Sequence, residues 1–169
     1  MFDIRRIVPA NRTPAAIGIA LGLIVAGSAA AQSPNPVAGD PAAQVKHREE
    51  SMKKMGGAMK AISQYVKNEG GTIDAVRTSA ATIQNVSKTI VPELFPKGTE
   101  IGVADSEAKP DIWQQWPRFQ EIAGNLQTES AKLAQVAQTD DRAQVAAQFG
   151  AVGKTCGSCH DTFRQEKKK

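Results

Sequence analysis

The stretch Val145 to Phe163, VAAQFGAVGKTCGSCHDTF, decides how the chain is read. Val145, Phe149, Val152, Cys156, Cys159 and Phe163 recur every three or four positions, the period of one face of an α-helix. Two of these six are the only cysteines in 169 residues, and His160 follows the second directly. Cys156-Gly157-Ser158-Cys159-His160 is the C-x-x-C-H pattern of covalent c-type haem attachment. The spacing has a chemical reason: on a helix both sulfurs lie within one turn, so they reach the two vinyl groups of one macrocycle. The adjacent imidazole is then held under the iron as a proximal ligand. A thioredoxin-like dithiol would need a preceding strand in an α/β chain, and nothing around the motif reads as strand. Zinc would find too few ligands in two Cys and a cramped neighbouring His.

Working back from this helix, three more stripes emerge. Asp40 is a good N-cap with Pro41 at the first helical position. Val45, Arg48, Met52, Met55, Met59, Ile62 and Val66 then form a core-facing seam, which Gly70-Gly71 ends. Thr72 caps a second helix with the stripe Ile73, Val76, Ala80, Ile83, Ser87 and Ile90, stopped by Pro92. A long connection, Val91 to about Lys109, follows. Pro110 restarts helix near Trp113, and Pro117 marks a bend or fresh start before Phe119, Ile122, Leu126, Leu133 and Val136. Thr139 or Asp140 is expected to cap the last helix. Four helices with two short connections and one long one predict an all-α fold, an antiparallel four-helix bundle with haem c in its core. The whole chain holds only eight aromatic residues, so a large apolar macrocycle would supply missing buried area, and the haem-free chain is expected to fold poorly.

The amino end stands apart from that domain. Arg5, Arg6 and Arg12 precede an apolar run, Ala15 to Ala26, and Ala29-Ala30-Ala31 follows, the pattern of a cleaved secretory signal peptide. The run is short of the ~20 residues of a membrane span. Residues 1–31 are therefore read as signal peptide cleaved after about Ala31, 32–39 as a flexible leader with Pro34 and Pro36, and 40–169 as the domain, exported to the periplasm. Without the signal's three Arg and one Asp the chain keeps 18 basic and 16 acidic residues, net +2. So small an excess gives no indication of nucleic acid binding. The Lys167-Lys168-Lys169 tail reads as a solvated helix end that complements the helix dipole.

Arg48 is the oddity of the first seam, because a guanidinium is costly to bury unless matched. It either snorkels or pairs with an acidic residue of a neighbouring helix, or it meets a haem propionate, which suits its forked geometry. With haem inferred from the motif, the propionate is the favoured reading. Met55 and Met59 read as adaptable core filler. Met52, one turn after Arg48, either ligates the iron opposite histidine or only covers a vacant face. His47 points away from the seam. Trp113 and Trp116 read as packing residues that close the long connection over the core. With no distal His in the seam to serve as acid or base, enzymatic chemistry is not expected.

Taken together, the chain resembles the cytochrome c′ family. The residues that carry the resemblance are Arg48-x-x-x-Met52, Gly98-Thr99-Glu100, Pro110-Asp111-Ile112-Trp113 and Cys156-x-x-Cys159-His160-Asp161-x-Phe163-Arg164. The resemblance implies a periplasmic monohaem c-type cytochrome, often a homodimer, with Cys156 and Cys159 as thioether sites and His160 as proximal ligand. It implies a propionate contact for Arg48 with Glu49 beside it, a haem-edge position for Thr99 and Glu100, and a place near the proximal face for Arg164. Met52 falls at the distal position, so His160 and Met52 are the candidate metal ligands. Low-spin members use such a methionine as sixth ligand and carry electrons to and from a redox partner protein. High-spin, five-coordinate members bind nitric oxide or carbon monoxide. Electron transport is the expected function and gas binding the alternative.

Overall fold

The computed structural model describes Asn35 and residues 38–166. The expected signal peptide, most of the expected leader and the Lys167-Lys168-Lys169 tail lie outside the described residues. The chain forms α1 Pro41–Val66, α2 Ile73–Thr89, α3 Asp111–Gln114, α4 Trp116–Val136 and α5 Arg142–Phe163. A π-helical turn, Ile90–Leu94, prolongs α2. The four long helices make the expected bundle, α3 is a single turn in the long connection, and an isolated β-bridge joins Ala108 to Arg164.

Local chemistry sets the helix ends. Asp40 accepts the Ala42 N–H at 3.0 Å with Pro41 in the first turn, where a missing N–H costs nothing. Gly70 and Gly71 turn the chain at φ +120° and +86°, a region open to glycine without strain. Thr72 caps α2 by accepting from Ala75 N–H at 3.2 Å. Pro92 does not stop that helix outright. α-Helical bonding ends at Thr89, and the chain runs through Pro92 in the wider π turn, since proline lacks the N–H of the regular ladder.

The cap of α5 differs from the expectation. Asp141, not Thr139 or Asp140, accepts the N–H groups of Ala143 and Gln144, at 2.9 and 3.1 Å. Asp140 sits at φ +58° with its carboxylate committed to Arg77, which also bonds Asp74 and the Ala137 carbonyl. Hydrogen bonds from the Gln144 side chain and backbone hold the Asp141 carboxyl below its ordinary range. A depressed carboxylate contributes stability above its unfolded pKa and loses it as pH falls through the folded value. Asp141→Ala is therefore expected to lower Tm by a few degrees at neutral pH, and by less in acid. Circular-dichroism melts at both pH values check this; identical melts of variant and parent would rule the cap out.

Packing leaves one side of the bundle open. α1 packs on α2, α2 on α4 and α4 on α5, whereas α1 and α5, the remaining adjacent pair, meet far less. Ile62, Val76, Ile83, Phe119, Leu133, Val145 and Val152 are fully buried, each contributing about 1.5–3 kcal/mol by burial. At one end Arg142 ties the start of α5 to the end of α1: it donates to the Tyr65 carbonyl at 2.7 Å and Asn68 Oδ1 at 2.6 Å, 4.2 Å over the Tyr65 ring. α1 and α5 therefore run antiparallel. The buried face of α1 is broader than the expected seam: Ser51, Ala58 and Tyr65 join it, while Met52, Met59 and Val66 are only half-buried.

Candidate cofactor site

Where α1 and α5 part, they wall a cavity of about 470 Å³. α1 contributes Arg48, Glu49, Met52, Met55, Gly56 and Met59; α5 contributes Gly153, Cys156, Gly157, Cys159, His160 and Phe163, with Arg164 beyond its end. Phe95, Asp105, Glu107 and Ala108 of the long connection also border it, as do Ile90, Ile112, Phe119 and Leu126. Phe119 anchors this wall, edge-on to Phe95 at 4.9 Å and Phe163 at 5.6 Å and stacked on Trp116 at 5.3 Å. Trp113 Nε1–H donates to the Phe95 carbonyl at 3.2 Å, so both tryptophans pack the connection onto the core as expected. His47 is exposed and absent from the wall.

Seven of the nine residues singled out in the sequence meet at this cavity: Arg48, Glu49, Met52, Cys156, Cys159, His160 and Arg164. Thr99 and Glu100 do not border it. Thr99 is fully buried and turned to Arg48, and the Glu100 carboxylate accepts the Gly98 N–H at 3.1 Å. Sequence reasoning missed Phe95, Ser106 and Glu107, which stand in an irregular segment without periodicity to place them.

The electrostatics suit an apolar, acid-bearing metallated ring. Burial pushes the Cys159 thiol up to about 11, with Cys156 adding to it, and raises the Cys156 thiol by the same desolvation. Both sulfurs are thus neutral and one turn apart in an apolar wall. Lost hydration, then the nearby Arg164 charge, lowers the His160 pKa against the opposing pull of Asp161 and Glu107. That favours the neutral imidazole, the form that binds metal.

Arg48 is 5% exposed. Its Nη1 donates to Thr99 Oγ1 at 2.8 Å, its Nη2 to the Thr99 carbonyl at 2.9 Å and Ser106 Oγ at 2.7 Å, and the guanidinium lies 4.8 Å over the Phe95 ring. Among the described residues no ion pair involves it, neither with a neighbouring helix nor with adjacent Glu49, whose partner is Lys53 at 3.6 Å. Desolvation brings its pKa down to about 10, still charged at neutral pH. A buried cation held by neutral oxygens at a cavity wall has chemistry suited to an anionic ligand group. Thiols at vinyl spacing, a neutral imidazole, thioethers, apolar walls and this cation together fit an iron porphyrin with acidic side arms.

A family profile described as Cytochrome C' matches residues 43–164. The chain belongs to the cytochrome c′ family. Over 129 residues it is 33% identical to the cytochrome c′ of Rhodospirillum rubrum, covering 76% of this chain and 86% of that one. Over 127 residues it is 37% identical to cytochrome c-556 of Agrobacterium tumefaciens strain B2A, covering 75% of this chain and all of the relative. A nitric oxide complex of a point mutant of the Alcaligenes xylosoxidans cytochrome c′ superposes with a TM-score of 0.69 at 26% identity, over 78% of this chain and all of that one. Proteins of this family are electron-carrier-type cytochromes that bind one covalent haem c, and cytochrome c′ is itself a standard example of the up-down-up-down bundle.

Proposed function

We propose that this cytochrome is a periplasmic electron carrier in which Cys156 and Cys159 hold the haem by thioether bonds and His160 and Met52 ligate the iron from opposite sides. The observation that carries the reading is the register of α1 against α5. A side-chain carbon at Gly153 would stand 3.9 Å from the Met59 methyl. The helices are antiparallel, so seven residues back along α1 and seven on along α5, about 10.5 Å in each, bring Met52 level with His160. The other methionines of the wall lie higher in the cavity by this register. Arg48, one turn below Met52, offers its charge to a propionate.

The haem supplies one-electron chemistry. The chain's part is to exclude water with its apolar wall and to keep both ligands on stiff helices, so that geometry changes little between oxidation states. Residues 1–31, with their Arg-rich start and alanine-rich end, support export as a cleaved signal peptide, and no helix of the described residues is long and apolar enough to cross a membrane. A non-enzymatic role is in keeping with the carrier-type cytochromes of this family.

One observation favours the second reading, a five-coordinate iron that takes nitric oxide or carbon monoxide. Gly56, one turn beyond Met52, borders the cavity, and a Cβ there would meet nothing within 4 Å. That gives Met52 room to swing aside. Absorption spectra of the haem-loaded protein, oxidised and reduced, with and without carbon monoxide, separate the two. The expected result is a low-spin spectrum barely altered by the gas, with Met52→Leu high-spin and fully responsive. A parent protein already high-spin and gas-responsive would move gas binding ahead; a Met52→Leu spectrum equal to the parent's would remove Met52 as ligand.

A further inference from the structure

The long connection is fastened to both helices that wall the cavity. On the α1 side the fastening is Arg48 with Thr99 and Ser106. On the α5 side the Gln165 N–H donates to the Glu107 carbonyl at 2.8 Å and the Lys109 N–H to the Phe163 carbonyl at 2.9 Å, around the Ala108–Arg164 bridge. Within this backbone frame Arg164 Nε donates to Glu107 Oε2 at 2.6 Å. Arg164 is one turn past His160, its N–H donates to the His160 carbonyl at 3.0 Å, and His160, Arg164 and Glu107 all border the cavity. The backbone bonds fix where the Arg164 side chain starts, and the Glu107 bond holds its guanidinium at the cavity's edge near the histidine.

We propose that Glu107 is a positioning and charge-compensating residue for the haem, which fixes the Arg164 guanidinium beside His160, cancels its charge there, and so sets the reduction potential. The proposal rests on His160 as the proximal ligand. One-electron reduction removes one unit of positive charge from the iron, with no proton required, so a nearby uncompensated cation favours the reduced state and a nearby anion the oxidised state. The intact pair contributes nearly zero net charge. The Arg164 side chain is 49% exposed and that of Glu107 28% exposed, so water screens each of them and the effect of removing either charge is moderate.

The test is potentiometric titration of haem-loaded Glu107→Gln, Arg164→Gln and the double variant. Glutamine keeps an oxygen that can accept the Arg164 N–H, so the backbone frame stays. Glu107→Gln should raise the potential, changing the ferrous-to-ferric ratio at fixed potential by about three- to tenfold. Arg164→Gln should lower it by a similar factor, the double variant should return towards the parent, and all shifts should shrink in high salt. A purely structural role would lower Tm and leave the potential in place; unchanged potentials, or shifts of the same sign, overturn the proposal. Should Glu107→Gln not take up haem, Arg164→Gln is compared with the double variant: the downward shift should be lost once Glu107 is also neutral, and its persistence there overturns the proposal. His160→Ala separates the two levels: if it keeps the parent spectrum, the ligand assignment itself is wrong.

Discussion

Protein prepared without its haem is expected to lose its cooperative thermal transition. The cavity is about 470 Å³, and emptying it takes away the apolar partner its wall packs against, a loss on the order of several kcal/mol. A domain of this size has about 5–15 kcal/mol in total, so the one term is comparable with the whole. Water entering the cavity would recover little, since Met55, Met59, Ile90, Phe119, Leu126 and Phe163 border it and offer water few polar partners. The helices keep their own caps at Asp40, Thr72 and Asp141. The haem-free chain should therefore be a compact helical state with far-ultraviolet dichroism largely kept, near-ultraviolet dichroism lost and hydrophobic dye bound. Cys156→Ser/Cys159→Ser protein, purified without haem and examined by calorimetry and both dichroism ranges, checks this. A sharp calorimetric transition near that of the loaded protein would show that the α2–α4 side of the core suffices alone.

That imbalance explains what the sequence disclosed. Burial of Val76, Ile83, Phe119, Leu133 and Val145 follows directly from helical period, because a packed helix has one face to hide. The cavity was legible only through chemistry: Met52 and Cys156 stand at seam positions, yet each is half-buried and borders a space between helices. Hydrophobic period does not distinguish a side chain that meets protein from one that meets a cofactor. The C-x-x-C-H motif supplied that distinction for α5, and the polar Arg48 for α1. Beyond Gly98-Thr99-Glu100, the long connection stayed opaque. Ser106 and Glu107 are held by partners far away in the chain, 58 residues from Arg48 in one case and 57 from Arg164 in the other, and no local pattern marks such pairings. The start of α5 was misplaced by one or two residues because Thr139, Asp140 and Asp141 are all good caps; the Arg77–Asp140 pair, again long-range, settles which one serves.

Arg48→Met in the haem-loaded protein is expected to cost about 3 kcal/mol, a fall in Tm of about 10 °C. The argument turns on which of two opposed terms is larger. Burial of the cation is unfavourable: lost hydration brings its pKa down from the ordinary guanidinium range to about 10. For a base whose folded pKa is lowered, that cost is present at every pH below about 10 and is relieved only as pH rises from there towards the unfolded value. Neutral pH offers no escape from it. Methionine would remove this cost while keeping a similar stem, and Thr99 and Ser106 would not be left orphaned: Thr99 Oγ1 still donates to the Pro96 carbonyl at 2.8 Å and Ser106 Oγ to the Thr99 carbonyl at 2.8 Å. In the haem-free chain the substitution should therefore be nearly neutral. In the loaded protein a haem propionate facing Arg48 would match the cation, and methionine would then leave a buried anion alone as well as freeing the loop from α1. Arg48→Lys should recover less than half of the loss, since one ammonium cannot span Thr99 and Ser106 from two nitrogens while lying flat on Phe95. Thermal melts of the three loaded proteins at pH 7 decide it. A loaded Arg48→Met protein that melts with the parent would mean that no anion of the haem meets this guanidinium.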